Sequence, residues 1–115
     1  MAGGTAKAPA HTSPRYVAAR VRKILAAQGW PLSKSTGQYS VFGGGTKRIT
    51  EGYRVHRVGV SRYVAVTYNE GYANGRGRNL PRGVALAKAQ EAWTCLRSLG
   101  YRVNDVGWIE CDYDD

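Results

Sequence analysis

Two glycine-flanked basic segments hold the residues of this 115-residue chain best suited to gripping an anion. The first is Gly43-Gly44-Gly45-Thr46-Lys47-Arg48; the second runs from Glu70 to Gly83 and carries Tyr72, Arg76, Arg78 and Arg82 among Gly71, Gly75, Gly77 and Pro81. Glycine lets a backbone approach a phosphate closely, and a guanidinium offers paired N–H donors to phosphate oxygens. Tyr72 beside the arginines can stack on a base. The same composition also suits a flexible connector in the first segment and a solvated loop before a helix in the second. Neither carries a Gly-Lys-Ser or Gly-Lys-Thr after a four-residue gap, so a nucleotide-hydrolysing phosphate loop is not expected.

Other chemistry finds little to work with. His11 and His56 are the only histidines, and no Cys/His spacing matches a zinc site, so no metal and no cofactor is expected. A serine or cysteine nucleophile needs a base and an orienting group. One usable histidine, with few acids outside the C-terminus, does not supply them, and the chain reads as a non-enzyme without catalytic residues. Cys95 and Cys111 fit reduced thiols.

Charge narrows the partner. The net charge is +9, and all 17 Lys and Arg lie at or before Arg102. Up to Asn104 the acids are Glu51, Glu70 and Glu91; the rest, Asp105, Glu110, Asp112, Asp114 and Asp115, fall in the last stretch of chain. Such a field favours nucleic acid (DNA or RNA), acidic protein surfaces or anionic lipid as partner. The acidic end either offsets charge as a solvated tail or folds over the basic surface and competes with anionic ligands. No stretch approaches the roughly 18 apolar residues of a membrane span, so no membrane partner is expected. The start of the chain lacks the apolar core of a signal peptide, and a cytoplasmic setting is expected.

These residues need elements to position them. Residues 1–12 read as a disordered tail, 13–112 as a single domain and 113–115 as an acidic end. Ser13-Pro14 is a helix start, because Ser caps free amides and Pro fits the first helical position. Val17, Val21, Ile24, Leu25 and Gln28 follow at helical spacing, and Gly29 with Pro31 ends the run. Gln38 to Phe42 suggests a short strand that resumes at Lys47 to Thr50 as an edge. Tyr53 to Val60 and Arg62 to Asn69 alternate strongly and predict a hairpin turning near Gly59. In its first arm Arg54, His56 and Val58 fall on one face, solvated and basic, and Tyr53, Val55 and Arg57 on the other. Residues 70–83 read as a loop. A second helix over about 83–99 presents Ala85, Leu86, Ala89, Ala92, Trp93, Leu96 and Leu99 as its apolar side. A final strand or pair of strands covers Arg102 to Asp112, turning near Asp105-Val106-Gly107. The expected fold is α+β, with two helices packed on one face of a small antiparallel sheet in the order α-β-β-β-α-β.

Two resemblances add to this. From Val17 to about Asp112 the chain, with "SKSTG", "TKRITEGYRVHRVG", "YVAVTY" and "ALAKAQEAWTCLRSLGYRV", resembles small uncharacterised proteins encoded by actinobacterial phages and prophages. That implies an accessory role, such as binding nucleic acid or modulating a host protein. Ile24 to Phe42, "ILAAQGWPLSKSTGQYSVF", is similar to the opening of HicA-type toxins, small ribonucleases with a double-stranded-RNA-binding-like order of elements. That family carries a histidine after the Gly-Ser pair. Here the stretch is Gly37-Gln38-Tyr39-Ser40, so the resemblance implies the fold and leaves at most a ribonuclease relic. The expected function is non-enzymatic nucleic-acid binding. Arg76, Arg78, Arg82, Lys47, Arg48, Arg54 and Arg57 would contact phosphates, and Tyr72 a base.

Overall fold

The computed structural model of the chain describes residues 9–38, 46–70, 72–73, 76–77 and 83–114. Helix α1 spans Pro14–Ala27 and starts where Ser13 accepts the Tyr16 amide at 3.3 Å, with Pro14 in its first turn. It ends at Gly29, whose φ of +79° is a left-handed conformation that glycine adopts without cost. The spacing of its apolar residues buries Val17, Ala18, Val21 and Leu25 along one stripe.

Among the described residues, seven strands follow in two sheets. They are β1 (Ser35–Gln38), β2 (Thr46–Ile49), β3 (Gly52–Arg57), β4 (Tyr63–Asn69), β5 (Tyr72–Ala73), β6 (Arg76–Gly77) and, after helix α2 (Val84–Ser98), β7 (Trp108–Glu110). The central sheet is antiparallel in the order β3-β4-β7, and the outlying sheet runs β1-β2-β5-β6. Gly59, at φ +57°, lies in the turn between β3 and β4, where the Val58 amide bonds the Tyr63 carbonyl at 2.9 Å.

Both helices share one core with the central sheet. Tyr53, Val55, Val64, Val66 and Ile109 are buried with Val17, Val21 and Leu25 of α1 and with Ala89, Ala92, Trp93 and Leu96 of α2. Leu25 and Leu96 are fully buried, and each such side chain stabilises the fold by roughly 2–3 kcal/mol. Trp93 ties α2 to the sheet, its indole N–H donating to the Val66 carbonyl at 2.7 Å. Gly107 passes so close to that indole that a Cβ there would lie 2.2 Å from a ring carbon. The expected α+β fold, with two helices on an antiparallel sheet, is the one observed.

Several details differ from the sequence reading. Within the stretch read as loop, β5 pairs antiparallel with β6, and β2 is an inner strand rather than an edge. Leu86 and Leu99 are exposed, so α2 buries a narrower stripe than its composition suggests. His11, assigned to the tail, is 7 % exposed, packed edge-on against Tyr101 and accepting the Arg102 amide at 3.2 Å. Residues 1–8 of the expected tail lie outside the described residues. Among the described residues no helix is long and apolar enough to cross a membrane.

Candidate nucleic-acid interface

The outlying sheet brings the two glycine-flanked segments together. β2 leads into β3, and β4 leads toward β5, so the small sheet grows from the same two arms as the central one. In its register Arg48 stands opposite Thr36 on one side and Ala73 on the other, and Ala73 stands opposite Arg76. Arg48 and Arg76 therefore occupy one cross-strand row, two strands apart, which is roughly 10 Å at the backbone. Tyr72 stands in the adjoining row with Ile49 and Gly77, and Lys47 pairs with Gly37. Arg78 and Arg82 lie outside the described residues.

The signal for this hairpin was present in the sequence. Between β5 and β6 stands Asn74-Gly75, the dipeptide most favoured in two-residue β-hairpin connections. It was masked by the surrounding glycines and arginines, which read as loop.

Arg54 belongs to the central sheet, on the face away from the helices. It is exposed opposite Thr67, while its neighbours Tyr53 and Val55 are buried on the helix side. Farther along the same face, one row runs His56–Ala65–Trp108 across the three strands. Ala65 is only 3 % exposed, so its larger neighbours close over it. The Tyr63 and Trp108 rings stand 5.7 Å apart at 50°, and the Tyr63 hydroxyl bonds Glu110 Oε2 at 3.1 Å. This half-buried aromatic pair was not among the sequence candidates. Its signal was the alternation Trp108-Ile109-Glu110, in which Ile109 points to the core and its neighbours away from it.

His56 adds no cation to that face near neutral pH. Burial lowers its pKa below the usual 6.5, and the charges of Arg54 and Arg22 lower it further. Its Nδ1 is buried with no hydrogen-bond partner among the described residues.

Arg57 lies elsewhere. It stands opposite the fully buried Val64, at the end of the helix-side face. Its Nε donates to the Ser61 carbonyl at 2.7 Å, and its Nη2 donates to the Asp114 carbonyl. The candidate set thus divides into Lys47, Arg48, Tyr72 and Arg76 on the outlying sheet, Arg54 on the open face of the central sheet, and Arg57 beside α1.

No family model matches this chain, and neither a curated protein nor a solved structure matches it. Among the described residues no three His, Cys, Asp or Glu side chains gather as a metal site would require. Both cysteines are free thiols, and burial pushes the Cys111 thiol up, with Asp112 adding to the effect. That is the opposite of what thiolate chemistry needs.

Proposed function

We propose that the protein binds nucleic acid without acting on it chemically, through phosphate contacts from the outlying sheet and the adjoining open face of the central sheet. The observation that carries this reading is the register that joins Arg48 and Arg76 in one row, on arms continuous with the strand bearing exposed Arg54. Two segments more than twenty residues apart in sequence become one basic neighbourhood, on a chain of net charge +9. Phosphates are the polymeric anions that such an arrangement suits, whereas Tyr72, one position off that row, belongs by strand alternation to the other face of the outlying sheet. The mixed, nearly neutral exposed side of α2 offers no recognition helix, so little sequence preference is expected. The resemblance to small phage-encoded proteins supports an accessory role in the cytoplasm of a host cell.

A mobility-shift series on DNA and RNA at low and moderate salt tests the proposal. Retardation at micromolar protein that fades steeply with salt is the expected result. Absence of retardation for both polymers at low salt sinks it.

A further inference from the structure

A second basic cluster lies away from the outlying sheet. Arg15 and Arg22 of α1 and Arg57 of β3 line one cleft with Pro14 and Ala18. Its volume is about 280 Å³, the space of roughly nine water molecules. None of the lining residues is acidic. Two of the guanidiniums are held in place by backbone: Arg22 Nη2 donates to the Val55 carbonyl at 2.8 Å, and Arg57 Nε to the Ser61 carbonyl at 2.7 Å. These anchors are neutral, so they fix the guanidiniums without cancelling their charge. Arg15 and Arg22 are exposed, and the first turn of α1 contains no acid. The helix start adds a partial positive charge beside Arg15.

The acidic end of the chain comes to this same place. The Asp112 amide donates to the carbonyls of His11 and Thr12 at 2.6 and 3.0 Å, and the Tyr113 amide to Thr12 at 3.0 Å. This short run ties the last residues beside the start of α1. Beyond it, the Asp114 carbonyl receives Arg57 Nη2.

We propose that the cleft lined by Arg15, Arg22 and Arg57 is an anion site of the phosphate class, and that the chain's own acidic C-terminal end competes for it. Three arginines lining one cleft supply charge and directional donors to tetrahedral oxyanions. The tail competes because the Asp114 carbonyl already occupies Arg57 Nη2, while the Asp112 carboxylate pairs with Arg102 at 3.3 Å, so the site fills when phosphate displaces the tail from Arg57. This site is separate from the outlying sheet and does not depend on it.

The test is a titration of the full-length protein with inorganic phosphate at neutral pH and low ionic strength, following the arginine Nε–H signals by NMR. The signals of Arg15, Arg22 and Arg57 should move together along one saturating curve, with those of Arg54 and Arg97 as controls. Arg15→Gln neutralises an exposed side chain, and it should weaken phosphate binding roughly tenfold, the effect of one charge-assisted hydrogen bond. Asp114→Asn keeps the carbonyl that holds Arg57 and should tighten binding about twofold, as expected for removing one nearby charge in high dielectric. A non-saturating shift common to all arginines, or unchanged affinity in Arg15→Gln, overturns the site. Unchanged affinity in Asp114→Asn overturns the competition.

A second arm adds an oligothymidylate without terminal phosphates. Displacement of inorganic phosphate identifies the ligand as a backbone phosphodiester, and coexistence identifies it as free phosphate or a phosphomonoester. Both outcomes uphold the anion site. Phosphate binding here without retardation of any nucleic acid breaks only the function proposed above, whereas retardation without phosphate binding breaks only this site.

Discussion

The two sheets are built from the same two excursions of the chain, yet they are made of different residues. In the central sheet β3 and β4 supply Tyr53, Val55, Val64 and Val66 to one face, and two helices cover them. The arms of the outlying sheet read Ser35-Thr36-Gly37-Gln38, Thr46-Lys47-Arg48-Ile49 and Tyr72-Ala73 with Arg76-Gly77, with few large apolar residues. A strand without apolar alternation contributes little to a core. The comparison separates roles: the central sheet holds the fold, and the outlying sheet carries charge on a backbone that the fold extends. Substitutions in the first should cost stability, and those in the second should cost binding.

The largest expected effect falls in the core. Gly107 has φ +83° and stands where a Cβ would lie 2.2 Å from the Trp93 ring. Gly107→Ala therefore combines a left-handed backbone with a steric clash, and should lower unfolding free energy by more than about 3 kcal/mol. Denaturant melts read this directly. A loss under about 1 kcal/mol would mean that the Trp93 contact is not what fixes the last strand. Trp93→Phe should follow at roughly 1–3 kcal/mol, because the Val66 carbonyl loses its indole donor.

On the outlying sheet the pattern should invert. Arg76→Glu should weaken nucleic-acid binding at least about tenfold, since it removes one phosphate contact and adds a repelling charge. The melting temperature should stay within about 2 °C of the parent, because none of the described core residues belongs to the outlying sheet. A variant that loses stability as well would place the outlying sheet in the folding unit and blur the distinction.

How much of this could be read from the sequence follows the same division. The helix start at Ser13-Pro14, its end at Gly29, and the β3–β4 hairpin were legible, because capping, proline and period-two alternation act within a few residues. The turn before Trp108 was legible as well, and the fold shows why it holds: Asn104 Oδ1 accepts the amides of Val106 and Trp108 at 3.0 and 2.9 Å. The exposure of Leu86 and Leu99 was not legible, because α2 meets mainly β4 and no local pattern states the width of that contact. The burial of His11 depends on Tyr101 and Arg102, about ninety residues away. Trp108 became a candidate only once β7 was seen to place it in a row with His56. The basic segments were recognised, but their union on Arg48, Ala73 and Arg76 is a matter of register, which composition does not encode.

The smallest predicted effect concerns pH. Burial holds both His11 and His56 below the ordinary pKa of 6.5, and in each case arginine charge acts in the same direction. A depressed histidine favours the neutral folded form. Its contribution to stability is complete above about pH 6.5 and declines as pH falls from there toward the folded-state pKa. Urea midpoints should therefore drop between pH 7.5 and 5. His11→Gln and His56→Gln should each flatten the profile while costing some stability at pH 7.5. An unchanged slope in both variants would assign the acid sensitivity to other groups.

The central claim is that cations of the outlying sheet engage phosphates, and the salt dependence of binding tests it most directly. Fluorescence anisotropy of a labelled oligonucleotide, measured over a salt series, gives the number of phosphates neutralised. The combined Lys47→Gln, Arg48→Gln and Arg76→Gln variant should lower the slope of log affinity against log salt by about two to three units, with the far-UV spectrum unchanged. A slope equal to the parent's would contradict the account and move the interface elsewhere on the molecule.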